Sequence, residues 1–172
     1  MRAEFTLPLR LVSESNERIH WAKKSKRTKL QRTASYRASI ESLRAQGVSS
    51  SGPIGAQDKE TLQVESLLPL WVQITRVAPR SLDTDNLAGA CKHVRDGIAD
   101  ALGVDDRHSH LVAYSYAQAK GAPKCYEVRV VIAPFSAISP ATLSQDPIKA
   151  PPGAVTGETV VGAEALRSGA TR

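Results

Sequence analysis

A chain of 172 residues with 41% apolar and 23% charged residues has the length of one domain and the make-up of a protein that buries a core. No run of about 18 consecutive apolar residues occurs, and the N-terminus lacks a charged-then-apolar-then-small order, so membrane insertion and secretion are disfavoured and a cytoplasmic protein is expected. The net charge of +6, from 23 Lys and Arg against 17 Asp and Glu, favours polyanionic partners without naming one.

In chain order, Glu4 to Leu11 alternates, with Phe5, Leu7, Leu9 and Leu11 on one face, and predicts a half-buried strand near a sheet edge because of Pro8. From Glu17 to Gln46 nine basic residues face two acidic ones, a net +7. Its cations Arg18, Lys23, Lys24, Lys26, Arg27, Lys29 and Arg32 are candidate phosphate contacts. Within this run, Thr28 to Ala45 carries Leu30, Ala34, Ile40 and Leu43 and predicts a helix with a narrow apolar stripe. Trp21 is either a core or interface residue or an aromatic plane for an unpaired base. The Ser, Gly and Pro of Gln46 to Thr61 predict a surface loop.

Leu70 to Val77 is rich in β-branched and aromatic residues and predicts a strand. Asn86 to Leu102 predicts a helix, with Asp85 as its N-cap. His110 to Gln118 and Cys125 to Ala133 predict two more strands around a turn at Lys120 to Pro123. The 39 residues from Pro134 to Arg172 hold five of the ten prolines and no net charge, a composition that predicts a mostly disordered tail over 135–172. The elements run β-α-β-α-β-β. They define one small α+β domain over residues 1–134, with a mixed sheet of about four strands and two main helices.

Cys91 and Cys125 lack the spacing of a zinc or redox site and are expected to be small buried apolar residues. His20, His93, His108 and His110 show no ligand spacing and are expected to be ordinary polar residues.

The predicted helix after Asp85 separates its residues by chemistry. On a helical wheel Ala90, Ala101, Val94, Leu87, Ile98, Cys91 and Leu102 fall within about 120° of arc, while Asp85, Gly89, Lys92, Asp96 and Asp100 fall on the opposite side. As a helix pattern alone this is a solvated face with a Lys92–Asp96 pair worth ~0.2–0.5 kcal/mol. The flanks add Asp83 and Asp85 before the helix and Asp105 and Asp106 after it. Carboxylates at i and i+2 leaving a strand suit a hard cation such as Mg²⁺, although the same residues also fit a polar turn with a helix cap. An EF-hand is excluded, because Leu87, Ala88 and Val94 stand where its loop needs Asp or Asn, Gly and Glu.

Ser81-Leu82-Asp83-Thr84-Asp85-Asn86, Lys92-His93-Val94-Arg95-Asp96-Gly97-Ile98 and Gly103-Val104-Asp105-Asp106 together resemble the RusA-like Holliday junction resolvases of bacteria and their phages. The resemblance covers roughly three-quarters of the chain, with Ser13-Glu14-Ser15-Asn16 as a looser N-terminal match. It implies an Mg²⁺-dependent endodeoxyribonuclease, with Mn²⁺ as a substitute, that resolves four-way DNA junctions as a homodimer in recombination and repair. It further implies that Asp83, Asp85 and Asp106 bind the metal and are catalytic. Lys92 matches a family lysine once about three residues near Ala88-Gly89-Ala90 are counted as inserted. Two alternatives share these residues: a non-catalytic DNA-binding protein, and a metal-dependent nuclease or phosphatase of other specificity.

One geometric expectation follows from helix length. Seventeen helical residues span ~25 Å, so Asp85 and Asp106 can share a metal only if the helix breaks near Gly97 or if Asp106 comes from a second subunit.

Overall fold

The chain runs β1 (Ala3–Leu7), α1 (Trp21–Ala45), β2 (Ser50–Ser51), β3 (Thr61–Leu62), β4 (Leu70–Ala78), α2 (Thr84–Leu102), β5 (Val112–Lys120) and β6 (Glu127–Pro134). This is a computed structural model, and it describes residues 1–13, 20–51, 61–104 and 111–137. Arg18, Asp105, Asp106, His108, His110 and the tail from residue 138 lie outside the described residues.

β1, β6, β4 and β5 form a mixed sheet in that order, and β2 pairs with β3 as a separate two-residue ladder that starts in the expected loop and ends one residue beyond it. β4 lies parallel to β5 and antiparallel to β6, so α2 is the crossover of a βαβ unit. Eight of the nine β4 residues are buried, as a central strand requires. Alternate residues Leu70, Val72 and Ile74 of β4 and Val128, Val130 and Ile132 of β6 meet Leu87, Val94 and Ile98 of α2 and Ile40 and Leu43 of α1 in the core. The domain is therefore a small α+β unit, as expected.

Several boundaries move, each for a physical reason. β1 ends at Leu7 rather than Leu11, because the chain turns across Pro8, with Leu9 N–H donating to the Leu7 carbonyl at 2.8 Å. Leu9 and Leu11 still reach the core. β5 runs to Lys120, two residues past the expected end, and β6 starts at Glu127 rather than Cys125. α2 is capped by Asp83, not Asp85: the Asp83 carboxylate accepts from the Asn86 N–H at 3.1 Å. Cys91 is buried as expected, whereas Cys125 is exposed in the β5–β6 connection.

α1 departs furthest from its expected form. It begins at Trp21, seven residues early, and Trp21 is 75% exposed, which removes it from the core. Leu30 is 54% exposed, whereas Ile40 and Leu43 are buried as expected and are joined on the inward face by Gln31, Ser35 and Ser39. Small polar residues stand there because α1 crosses α2 at van der Waals contact. A Cβ on Gly97 would lie 2.1 Å from Ser35 Oγ and 2.2 Å from the Arg32 carbonyl oxygen. Gly97 thus serves a close helix crossing and not a break, so α2 is continuous over 19 residues.

Candidate active site

The sheet register gathers one set of loops at one edge. Ala78 pairs with Lys120 and Val77 with Glu127, while Leu7 pairs with Val128. β1, β4 and β5 therefore all end where β6 begins. The connections after those strands, 8–13, 79–83 and 121–126, share that edge, which is where open α/β sheets place their ligands.

Asp83 and Asp85 sit on this edge, one capping α2 and the other in its first turn, and both are exposed. Negative side chains interact favourably with a helix N-terminus, so the placement needs no metal to be stable. Three side chains hold the segment. Gln118 of β5 accepts from the Leu82 N–H at 2.8 Å through Oε1 and donates to the Leu82 carbonyl at 2.7 Å through Nε2. Ser13 Oγ donates to Asn86 Oδ1, tying the segment after β1 to the first turn of α2. Arg76 of β4 donates through Nη1 to the Arg80 carbonyl at 2.7 Å and through Nε to the Leu11 carbonyl at 3.1 Å. Gln118 and Arg76 are 8% and 6% exposed, so these are buried clamps.

Lys92 is exposed on α2, seven residues beyond Asp85 and so ~10 Å further along the helix axis. Asp96 lies 3.7 Å from both His93 Nδ1 and Arg95. Asp100 accepts both arms of the Arg32 guanidinium, at 2.7 and 2.8 Å. The acidic line on α2 thus divides: Asp100 joins the two helices, and Asp85 faces solvent beside Asp83. The bond to Asp100 pushes the Arg32 pKa up and balances its charge locally. Lys23, Lys24, Lys26 and Lys29 are exposed, and Arg27 is half-buried.

Among the described residues no three His, Cys, Asp or Glu side chains come together as a metal site. Val104 and Leu111, which flank the segment holding Asp106, belong to the opposite edge: Leu111 O accepts from the Leu70 N–H at 2.8 Å, at the start of β4. An unbroken α2 of 19 residues separates that edge from Asp83 by ~28 Å. Asp83 and Asp85 alone offer two oxygen ligands at the described edge, a set that fits a hard cation keeping several waters.

Sequence reasoning missed the cations beside this pair. Arg10, Arg76, Arg80 and Lys124 line a cleft of about 470 Å³ that also includes Ser81 and Leu82, the residues just before Asp83. Arg76 interrupts the apolar pattern of β4, which is a visible signal. Only the register assembles it with the other three.

No family model matches this chain, and no solved structure matches it. An uncharacterized protein of Xylella fastidiosa (strain Temecula1 / ATCC 700964) is 41% identical over 95 residues, which are 54% of this chain and 52% of that protein. The chain thus spans about half the length of the relative it matches. No helix among the described residues is long and apolar enough to cross a membrane.

Proposed function

We propose that the protein is a divalent-metal-dependent endonuclease acting on branched DNA, with Asp83 and Asp85 as its metal ligands. The observation that carries this reading is the placement of both carboxylates at the sheet edge that also holds Arg10, Arg76, Arg80 and Lys124. A pure DNA-binding module gains nothing from two exposed carboxylates beside a phosphate-attracting cleft, whereas a hydrolase needs both. The resemblance of the Asp83-Thr84-Asp85-Asn86 segment to the RusA-like resolvases supports four-way junctions as the substrate.

Asp83 and Asp85 would hold Mg²⁺, or Mn²⁺ in its place, which when bound supplies a nucleophilic water and charge neutralisation at the phosphate. Asp83 is oriented by its bond to the Asn86 N–H, and the backbone before it by Gln118. Lys92 on the same side of α2 adds positive charge along the strand path. The exposed lysines of α1 hold flanking phosphates without reading bases, and Trp21 at its tip stacks on an unpaired base.

α2 is continuous and sets Val104, the last described residue before Asp106, about a helix length from Asp83, so Asp106 would complete the ligand set from the partner of a two-fold dimer. A four-way junction is itself two-fold symmetric and needs paired nicks.

The test is a labelled four-way junction and a linear duplex of the same sequence, each incubated with Mg²⁺ or with EDTA. Paired nicks confined to the junction and abolished by EDTA are expected. Equal cutting of both substrates would remove junction selectivity, and binding without cutting would favour the non-catalytic alternative.

A further inference from the structure

The cleft beside Asp83 is unusual in its charge. Four cationic side chains line it, from three separate segments: Arg10 after β1, Arg76 and Arg80 at the end of β4, and Lys124 before β6. No acidic side chain is among the described residues that line it. Ser13 and Ser81 add hydroxyls, and Tyr126 carries the Arg10 guanidinium 4.9 Å from its ring centroid, which fixes the direction of that cation.

Arg76 is the informative member. It is 6% exposed, and its described bonds go to the neutral carbonyl oxygens of Leu11 and Arg80. No carboxylate among the described residues balances its charge. Burial pulls its pKa below the ordinary arginine value, and Arg10 pulls in the same direction. A buried guanidinium without a counter-ion is costly unless an anion completes it. A second cleft of about 480 Å³ shares Pro79, Arg80 and Ser81 with the first and adds Lys120, so Arg80 stands between two basic hollows. Guanidinium groups bind phosphate through paired N–H donors, and spaced cations along an edge suit successive phosphates of one strand.

We propose that this cleft is a phosphate subsite that takes a backbone phosphate of the nucleic-acid strand whose neighbouring phosphate lies at Asp83 and Asp85. The choice of a backbone phosphate rests on the nuclease reading; the anion site itself rests on the cleft. Arg80 and Lys124, both exposed, make the reversible contacts, and Arg76 supplies fixed charge behind them.

The experiment is fluorescence anisotropy of labelled duplex and four-way DNA in EDTA, so that cutting plays no part. Arg80→Gln and Lys124→Gln are compared with Arg129→Gln, an equal loss of charge on the exposed face of β6. Each cleft variant is expected to weaken binding about 10-fold at low salt and to lower the salt slope by about one, while the control changes binding less than about 2-fold. Cleft variants that bind like the control would overturn the proposal. Inorganic phosphate supplies the other arm. Protection of the wild-type fold by phosphate, lost in Arg80→Gln while DNA affinity stays unchanged, would make the site one for a small free anion and equally overturn it. A protein that binds DNA through this cleft but never cuts would refute the nuclease reading and leave the subsite standing.

Discussion

Gly97 of α2 lies directly beneath Ser35 of α1, so close that a methyl group at Gly97 would fall 2.1 Å from the Ser35 hydroxyl oxygen. The same helix carries Gly89, around which a Cβ would meet nothing within 4 Å. Gly97→Ala and Gly89→Ala therefore have opposite expected signs. Alanine gains ~1 kcal/mol in helix propensity at either position. At Gly97 the Arg32 carbonyl, 2.2 Å away, is backbone and cannot step aside, so overpacking costs ~1–3 kcal/mol and wins. Urea unfolding of both variants checks this: Gly89→Ala should be more stable than wild type, and Gly97→Ala less.

The Arg32–Asp100 bond joins the two helices with a two-armed geometry, although the Arg32 side chain is 48% exposed. Screening by solvent limits its coupling to ~0.5–1 kcal/mol. A double-mutant cycle with Arg32→Gln and Asp100→Asn should return that value at low salt and a smaller one in 1 M salt. Coupling indistinguishable from zero at low salt would mean that the pair contributes nothing to the helix crossing.

Asp83 has two separable roles. Asparagine is as good an N-cap as aspartate, whereas alanine gives up ~1 kcal/mol. Asp83→Asn should retain wild-type stability and lose metal-dependent cleavage, and Asp83→Ala should lose both. Thermal unfolding beside a cleavage assay separates the cap from the ligand.

Mixing Asp83→Asn with Asp106→Asn chains tests the shared site. Activity regained in the mixture is expected if each site draws Asp106 from the partner. Activity no higher than that of the two parents would contradict a composite site.

Thiol chemistry offers an independent check of the fold. Burial pushes the Cys91 thiol up to about 12, while Cys125 is exposed. An aromatic disulfide reagent at pH 8 should label one thiol per native chain, two in denaturant, and none rapidly in native Cys125→Ser.

Much of this was legible in the residues because it follows simple periods. The apolar arc from Leu87 to Leu102 is the buried face of α2, and the alternation in β1 and the β-branched and aromatic run of β4 mark strands of the sheet that covers it. The inward face of α1 was legible only in part. Ile40 and Leu43 of the expected stripe are buried and Ala34 packs on the core, but Gln31, Ser35 and Ser39 are buried there through close helix approach rather than hydrophobicity, and Leu30 points outward. The extension of α1 back to Trp21 was hidden for a similar reason: its first turns are exposed on every side and carry no periodic signal. At the candidate site, Asp83 and Asp85 stand two residues apart and could be read directly. Arg10, Arg76, Arg80 and Lys124 are spread over more than a hundred residues, and only the pairing of β4 with β5 and β6 brings them to one edge.

The most direct test of the central claim is single-turnover cleavage of a labelled four-way junction in Mg²⁺ by wild type and Asp85→Asn, at protein concentrations that saturate binding of both. The expected result is equal binding with cleavage by wild type alone. Cleavage by Asp85→Asn at the wild-type rate, or none by either protein, would contradict a hydrolytic site at the start of α2.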